Sequence, residues 1–280
     1  MHRKYASSDY SVMLAMTWSL GEYVMGGKRG KATGVNKFWW VAFLDVYGFS
    51  NIVVDLSRKV GRSTATAYQP LEDMHQKLKE AVDEGRRRLS ATYEGIATLA
   101  VSDCTFLVAP IVTTDTAAAV MSMLAAINST RVVLTAFTTY GFIMRGGVAC
   151  GPGVFFDKAT GTLLGAPVLR AVAYEKVLPP PLVWLPEREL RSVDEQVSSP
   201  ASPVSRTLFH DDPTIAETRD GGLLATRVIL PGEDDTFRER IEEQYWEHVV
   251  SGVDTVARAY RDALSILDRL NVGKPREKAE

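Results

Sequence analysis

The segment FWWVAFLDV, residues 38–46, constrains the fold more than any other part of the chain. Its aromatic and aliphatic side chains follow one another without the alternation of apolar and polar residues that is typical of a strand with one face in water. One carboxylate, Asp45, interrupts the run near its carboxyl end. We therefore predict a central strand that is buried on both faces and ends at an acidic residue.

Composition restricts the kind of partner and the compartment. The 280 residues include 32 basic and 34 acidic side chains, so the chain lacks the basic surface expected of a protein that binds nucleic acid or an anionic membrane. Two cysteines, Cys104 and Cys150, are too few for a disulfide framework and are predicted to be small buried side chains of a cytoplasmic protein. The apolar stretch from Tyr10 to Gly26 is interrupted by Glu22 and is shorter than the ~20 residues of a membrane span. We expect no membrane segment and a small-molecule partner.

Helix and strand signals then alternate, which predicts an α+β fold. ATLAV and TFLVAPI indicate a tight β-hairpin, because only Ser102, Asp103 and Cys104 separate them. The other predicted elements are an amphipathic helix from Pro70, an Ala-rich helix that begins behind a Thr114 cap and runs to about Asn128, the segment RVVLTAF as helix or strand, a strand in GFIMRGGVACG, a short hairpin through 157–161, a helix at 167–175, and PLVWL as the strand that closes the sheet.

These signals divide the chain into four regions. Residues 1–36 are predicted to be an N-terminal extension and residues 37–186 the main domain. Residues 187–206 contain many Ser and Pro residues and are predicted to be a linker or loop. Residues 207–280 are predicted to form a C-terminal extension that packs on the main domain, with a strand in DGGLLATRVIL and one long helix over 237–270.

The chemistry of the chain is carried by two acids at strand ends, Asp45 and Asp103. Either residue alone is most simply a turn or cap residue. Two carboxylates on adjacent strands repel each other, however, and a divalent cation relieves that repulsion while it coordinates phosphate oxygens. The pair therefore predicts a metal site for phosphoryl or nucleotidyl transfer. The turn Gly48-Phe49-Ser50 follows Asp45 closely and adds backbone N–H groups that could hold a triphosphate. With Val46 and Tyr47 it forms the predicted substrate- and phosphate-binding segment, residues 46–50.

Three motifs accompany the acid-tipped hairpin. They are F-x-D-x-x-G-F-S at Phe43 to Ser50, R-G-G-V-x-x-G at Arg145 to Gly151, and G-A-P-V-L-R-A at Gly165 to Ala171. In this order they resemble the class III nucleotide cyclases, and more narrowly the bacterial Pycsar pyrimidine cyclases, over roughly residues 38–185.

The resemblance implies both an architecture and a site. The architecture is a ferredoxin-like palm, an antiparallel-rich sheet with helices on one face, here followed by the C-terminal strand and long helix. The site holds two divalent ions, Mg²⁺ or Mn²⁺, bound by Asp45, Asp103 and the backbone carbonyl of Val46. Two aromatic side chains, Tyr47 and Tyr140, are candidates for contact with the base, although core packing is the simpler interpretation of both.

Two positions depart from the purine cyclases in a way that concerns the base. Those enzymes have a Lys four residues before the second metal Asp, and an acidic or small polar residue three before the glycine that corresponds to Gly165. The residues at these positions are Leu99 and Thr162. A leucine cannot hydrogen-bond a purine, so the resemblance favours a pyrimidine substrate.

Two further departures concern the transferring phosphate. Leu169 and Ala173 occupy the positions where purine cyclases have the Asn and Arg that stabilise the transition state. The cations available to replace them are Arg145, beside the glycine turn, and Arg170. For Arg145 a structural role remains equally open, and Arg170 could instead be a surface residue or an inter-subunit contact.

The implied activity is conversion of UTP to 3′,5′-cyclic UMP and pyrophosphate, as a second-messenger synthase in bacterial antiphage defence whose product is read by a separate effector protein. The alternatives are CTP, ATP or GTP as substrate and, in another class, a catalytically inactive cyclase-like module that binds nucleotide or a partner. The resemblance also implies a homodimer of head-to-tail palms with shared sites. We expect the second chain to contribute residues from Gly165 to Glu175, with Arg170 as its candidate cation.

Overall fold

The computed structural model describes the chain from the predicted first strand onward. The described residues are 38–50, 53–54, 69–92, 95–157, 159–176, 183–198, 202–204, 215–218, 226–229, 235–251 and 254–269. They belong to one compact unit, residues 36–280. The predicted N-terminal extension, residues 1–36, lies outside the described residues.

The main sheet has seven strands in the order β2-β3-β1-β4-β7-β9-β8, and β5 and β6 form a separate pair. Neighbouring strands are antiparallel except β4 and β7, which are parallel. The strand bounds are β1 Phe38–Val46, β2 Ala97–Val101, β3 Cys104–Ile111, β4 Met144–Pro152, β5 Phe155–Asp157, β6 Thr162–Leu164, β7 Val183–Pro186, β8 Ile215–Thr218 and β9 Thr226–Ile229.

The first strand lies where its composition requires, in the middle of the sheet. β1 pairs with β3 on one side and β4 on the other. Its residues Trp40, Val41, Ala42 and Leu44 are all fully buried, although their side chains alternate between the two faces. The predicted doubly buried central strand is therefore confirmed.

Helices cover both faces of this sheet. α1 and α2 pack on the face that contains Trp40 and Leu44, and α3 packs on the face that contains Val41 and Phe43. The predicted α+β class with an antiparallel-rich sheet is confirmed, and α3 adds a helix to the face that the prediction left without one. The helix bounds are α1 Gln69–Thr92, α2 Thr116–Thr139, α3 Ala166–Glu175, α4 Glu187–Asp194, α5 Asp235–Ser251 and α6 Asp254–Arg269.

The close contact between α3 and β4 depends on a glycine of the R-G-G motif. A Cβ atom at Gly147 would lie 2.3 Å from Cβ of Tyr174 and 2.6 Å from the carbonyl oxygen of Ala171. Only a residue without a side chain allows the helix backbone to approach the strand this closely. Packing therefore explains this part of the motif.

The second long helix differs from its prediction at both ends. Its N-cap is Asp115, whose carboxylate accepts a hydrogen bond of 2.8 Å from the Ala118 N–H, and not Thr114. The segment RVVLTAF continues the helix, because Val133, Leu134 and Phe137 face the core at helical spacing. α2 is long and apolar enough to cross a membrane, but half of its most apolar window is buried inside the fold, as is usual for a core helix.

Two predictions near residue 186 are wrong. β7, which contains most of PLVWL, does not close the sheet, because it pairs with β9 as well as β4. The predicted linker begins with helix α4, whose residues Leu190 and Val193 are buried in the main core. The signal was available in Pro186 followed by an acidic first turn, which is typical of a helix start.

In the C-terminal region the predicted strand is present, but the predicted single helix is two helices. The late strand is confirmed by β9, and β8 was not predicted. The single long helix is replaced by α5 and α6, whose bounds leave residues 252–253 between them. Arg238 of α5 donates a hydrogen bond of 2.8 Å to Asp268 of α6, a contact that one continuous helix could not make across 30 residues.

Candidate active site

The sheet brings the two predicted acids together. Asp45, at the end of β1, lies opposite Cys104 of β3 and opposite Arg145 of β4. Asp103 lies in the β2–β3 turn, and its carbonyl oxygen accepts a hydrogen bond of 3.1 Å from the Val46 N–H. Carboxylate oxygens of the two acids and Sγ of Cys104 all lie within 4.8 Å of one another.

The turn that holds Asp103 is tight. Val101 and Cys104 are a directly paired couple, so the loop consists of Ser102 and Asp103 alone. Ser102 has φ = 56°, a left-handed conformation that two-residue hairpin loops normally assign to glycine or asparagine. A non-glycine residue held in this region stores strain, which is a feature of functional loops.

The electrostatics of the pair favour a bound cation. Burial raises the pKa of Asp45, the hydrogen bond from the Cys104 thiol and the charge of Arg145 lower it, and the neighbouring charge of Asp103 raises it further. Burial and the same two carboxylates also raise the pKa of Cys104. The cluster therefore disfavours additional negative charge, and Mg²⁺ or Mn²⁺ would relieve this by binding the carboxylates.

Arg145 is held beside Asp45 by a residue that the sequence interpretation missed. Its Nη2 is 3.6 Å from Oδ2 of Asp45, and its Nε is in ion-pair contact with Oε1 of Glu175, without hydrogen-bond geometry. Its guanidinium also lies 5.3 Å from the ring centroid of Tyr47. Tyr47 in turn makes an edge contact with Tyr260 of α6. A predicted candidate cation and a predicted candidate for base contact therefore meet at the acid pair.

Glu175 is a buried carboxylate at the last turn of α3, only 3% exposed. Burial raises its pKa, and the positive charge of Arg145 opposes that effect. An acid is disfavoured at a helix C-terminus by the helix dipole, and Glu175 follows the buried residues Val168 and Ala171 at helical spacing. This combination was the signal that could have identified it.

The predicted phosphate loop is only partly available for anions. The Val46 and Tyr47 N–H groups donate to backbone oxygens of Asp103 and Ile143, at 3.1 and 2.8 Å. These two N–H groups of the predicted segment are therefore already bonded within the chain, whereas the carbonyl oxygen of Val46, its predicted metal ligand, is unaffected. Gly48 turns the chain with φ = 76° ahead of Phe49 and Ser50, so these three residues remain the candidates for phosphate contact.

Arg170 does not reach the acid pair. It lies near Cys150, five residues from Arg145 along β4, which corresponds to roughly 17 Å. Its guanidinium donates to both carboxylate oxygens of Glu189, at 3.1 and 3.0 Å, and to the Cys150 carbonyl at 2.6 Å. These contacts hold Arg170 within its own chain, and its predicted role as a phosphate cation that a second chain contributes stays a prediction.

Glu189, the centre of this second cluster, was also missed by the sequence interpretation. It is 3% exposed and accepts hydrogen bonds from the Cys150 N–H at 2.8 Å and the Tyr174 hydroxyl at 2.5 Å. Burial and then this hydrogen bond raise the pKa of Tyr174 to about 12, so the hydroxyl remains a donor at neutral pH. Because Glu189 was placed in the predicted linker, nothing in the sequence directed attention to it.

Leu99, one of the two positions predicted to bear on the base, lies beside the turn that precedes the other, Thr162. A Cβ at Gly161, in the β5–β6 turn, would lie 3.6 Å from Cδ1 of Leu99. Thr162 follows this glycine, and its hydroxyl is 2.8 Å from the hydroxyl of Thr160. Leu169 and Ala173 are both exposed on α3, and Tyr140 packs against the main core at the C-terminus of α2.

Neither a known protein family nor a curated protein matches the chain in sequence. Three solved structures show a distant likeness. The dimeric guanylyl cyclase domain of a rhodopsin fusion protein from the aquatic fungus Blastocladiella emersonii is 15% identical, covers 70% of this chain and 97% of its own, and has a TM-score of 0.42. The adenylyl cyclase CyaB from P. aeruginosa is 16% identical over 70% and 95%, with a TM-score of 0.39. A bacterial light-regulated adenylyl cyclase is 13% identical over 80% and 57%, with a TM-score of 0.41.

Proposed function

We propose that the chain is a metal-dependent nucleotidyl cyclase that converts a nucleoside triphosphate into a 3′,5′-cyclic nucleotide and pyrophosphate. The observation that carries the proposal is the clustering of the Asp45 and Asp103 carboxylates at neighbouring strand ends. Two Mg²⁺ or Mn²⁺ ions fit this oxygen-rich set, with the Val46 carbonyl as a further ligand. When bound, such ions activate the ribose 3′-hydroxyl and neutralise charge on the α-phosphate.

The chain's own residues position the substrate around this centre. Asp45 and Asp103 hold the ions, and the backbone of Gly48, Phe49 and Ser50 is proposed to bind the triphosphate. Arg145, beside Asp45, replaces the cation that Leu169 and Ala173 cannot supply. Because the ring of Tyr47 and the carboxylate of Glu175 both contact its guanidinium, this cation is held in place before the substrate binds.

We propose UTP as the preferred substrate, with CTP as the alternative. The support is the apolar Leu99 beside the β5–β6 turn and the Thr162 hydroxyl already bonded to Thr160. A purine would leave its polar edge without partners against such a surface. The double variant Leu99→Lys, Thr162→Asp should shift preference towards ATP, whereas Leu99→Met should not. Efficient use of ATP by the unaltered chain in competition with UTP would contradict the pyrimidine assignment.

A homodimer with shared sites is part of the proposal. Leu169 is 65% exposed on α3, and Phe155 and Leu164 form an exposed pair across β5 and β6. Leu169→Glu should yield a monomer with little activity. Met121→Glu is the matched control, because Met121 is 66% exposed on α2. Sedimentation velocity distinguishes the two, and an active monomer would remove the shared site from the proposal.

The activity is tested by incubating the full chain with each of the four triphosphates and Mn²⁺ or Mg²⁺, followed by mass spectrometry of the products. Cyclic UMP is the expected main product. Asp83→Asn, an exposed acid on α1, is the control for the site variants Asp45→Asn and Asp103→Asn. Nucleotide binding without any cyclic product would favour the inactive-module alternative.

A cytoplasmic role in antiphage defence completes the proposal and is supported by the sequence resemblance. In that role the cyclic nucleotide is a second messenger for a separate effector protein. Phage challenge of bacteria that express the chain together with an effector protein that responds to the cyclic nucleotide, with Asp45→Asn as control, tests this role. Equal protection by both forms would contradict it.

A further inference from the structure

A thiol lies between the two acids of the candidate active site. Cys104 directly follows Asp103 and lies opposite Asp45 in the register of β1 and β3. Its Sγ is 3.2 Å from Oδ1 of Asp45 and 3.9 Å from Oδ1 of Asp103. The side chain is partly exposed, and the prediction that it is a small buried residue is therefore wrong.

These separations match those between two ligands of one small metal ion. With Zn–S near 2.3 Å and Zn–O near 2.1 Å at a tetrahedral angle, the sulfur and oxygen ligands lie about 3.6 Å apart. The two observed sulfur–oxygen distances, 3.2 and 3.9 Å, lie on either side of this value. Small side-chain adjustments would therefore place all three ligand atoms around one ion.

We infer that Cys104 supplies a third, thiolate ligand at the Asp45–Asp103 site, so that Zn²⁺ binds there more tightly than Mg²⁺ and displaces it. The inference rests on the metal site of the proposed function, although not on turnover. Mg²⁺ requires oxygen ligands in octahedral geometry and leaves the thiol protonated. Zn²⁺ accepts thiolate sulfur in a tetrahedral set, and the thiol proton passes to solvent as the sulfur–metal bond forms. The two positive charges of the ion offset the thiolate charge that the metal-free cluster disfavours.

The test uses Cd²⁺ as a spectroscopic substitute for Zn²⁺ on the full, reduced, metal-free chain. Cd²⁺ should produce an ultraviolet thiolate-to-metal charge-transfer band at one equivalent, and Zn²⁺ should abolish it by competition. Cys104→Ser should lose the band, and its Zn²⁺ affinity, measured by calorimetry, should fall at least roughly tenfold, since even outer-shell partners of metal ligands contribute that much. Its Mn²⁺ affinity should change less than its Zn²⁺ affinity.

Cys150→Ala is the matched control, because the chain has only two cysteines and this variant leaves Cys104 as the single thiol. It should keep the band, which identifies the sulfur even if Cys104→Ser fails to fold. Cd²⁺ binding without a thiolate band, or equal Zn²⁺ affinity in Cys104→Ser, would overturn the inference while leaving the metal site intact. Failure of the unaltered chain to bind either Mn²⁺ or Zn²⁺ would overturn the metal site itself.

Discussion

The two ends of β4 place buried or partly buried carboxylates beside arginine and tyrosine, but the ends differ in how many hydrogen bonds those carboxylates accept. At the Cys150 end, Glu189 accepts hydrogen bonds from the fork of Arg170, a tyrosine hydroxyl and a backbone N–H. At the Arg145 end, Asp45 has a thiol at 3.2 Å and one guanidinium nitrogen at 3.6 Å, while the neighbouring Asp103 adds further negative charge.

This difference separates a structural cluster at Glu189 from the cluster at Asp45 that is proposed to be functional. Both carboxylate oxygens of Glu189 accept hydrogen bonds from groups of the same chain. These bonds make this end of β4 rigid, and the carboxylate is satisfied without a ligand. The cluster at Asp45 has more carboxylates than nearby cations, and burial makes that excess unfavourable. A cation that binds there removes an existing electrostatic penalty. The following predictions test this contrast.

The largest effect is expected from the acid pair. Asp45→Asn or Asp103→Asn should lower cyclic nucleotide formation by at least about 10³-fold, the upper range for loss of one transition-state contact. The free energy of unfolding should change little or increase, because the substitution relieves repulsion between carboxylates. Product assays and denaturant unfolding measure the two quantities. Wild-type turnover in either variant would contradict the metal assignment.

At the Cys150 end of β4, a substitution should change the free energy of unfolding and leave the rate of cyclic nucleotide formation unchanged. Glu189→Ala leaves the buried Cys150 N–H and Tyr174 hydroxyl without their acceptor, so the free energy of unfolding should fall by about 1–3 kcal/mol for each of these groups. Urea unfolding measures this, with the exposed Glu195→Ala as control, for which a change within about 0.5 kcal/mol is expected. A loss below 1 kcal/mol would show that Glu189 is not the organising residue of this end.

The missed residue Glu175 should have an intermediate effect on metal binding. Glu175→Gln removes the partner of Arg145, whose guanidinium then competes more strongly with the metal for Asp45. Mn²⁺ affinity, measured by electron paramagnetic resonance, should fall about 10- to 100-fold, as is typical for outer-shell partners of metal ligands. Glu195→Gln again serves as control. Unchanged Mn²⁺ affinity would reduce Glu175 to a packing role.

The smallest effect is expected at the strained hairpin tip. In the left-handed conformation a residue with a side chain is disfavoured by about 1–2 kcal/mol, and Ser102→Gly removes this cost. Glycine also loses more backbone entropy on folding, which offsets part of the gain. The free energy of unfolding should therefore rise by up to about 1 kcal/mol. Thermal unfolding measures this. Destabilisation would mean that the Ser102 side chain holds the turn, in which case Asp103 should also bind metal more weakly.

Predictions from sequence succeeded where short-range pattern determines the outcome. The unbroken apolar run of β1 and the two-residue interruption between β2 and β3 were enough to bring Asp45 and Asp103 to the same edge of the sheet. Predictions failed where the apolar spacing continued across two separate helices, and where the residue composition suggested a linker. The apolar spacing over 237–270 continued across Gly252, and the Ser and Pro residues after 192 concealed helix α4.

By itself, the sequence determined the central strand, the acid-tipped hairpin and therefore the meeting of two carboxylates, because pleat and turn length depend on neighbouring residues. Only the tertiary structure decided what surrounds them. Glu175 and Arg145 are 30 positions apart, and Arg170 and Glu189 are 19 apart, on elements whose packing no local pattern specifies. Whether an arginine faces the acid pair or a buried glutamate depends on how α3 and α4 pack against β4, and that packing is long-range.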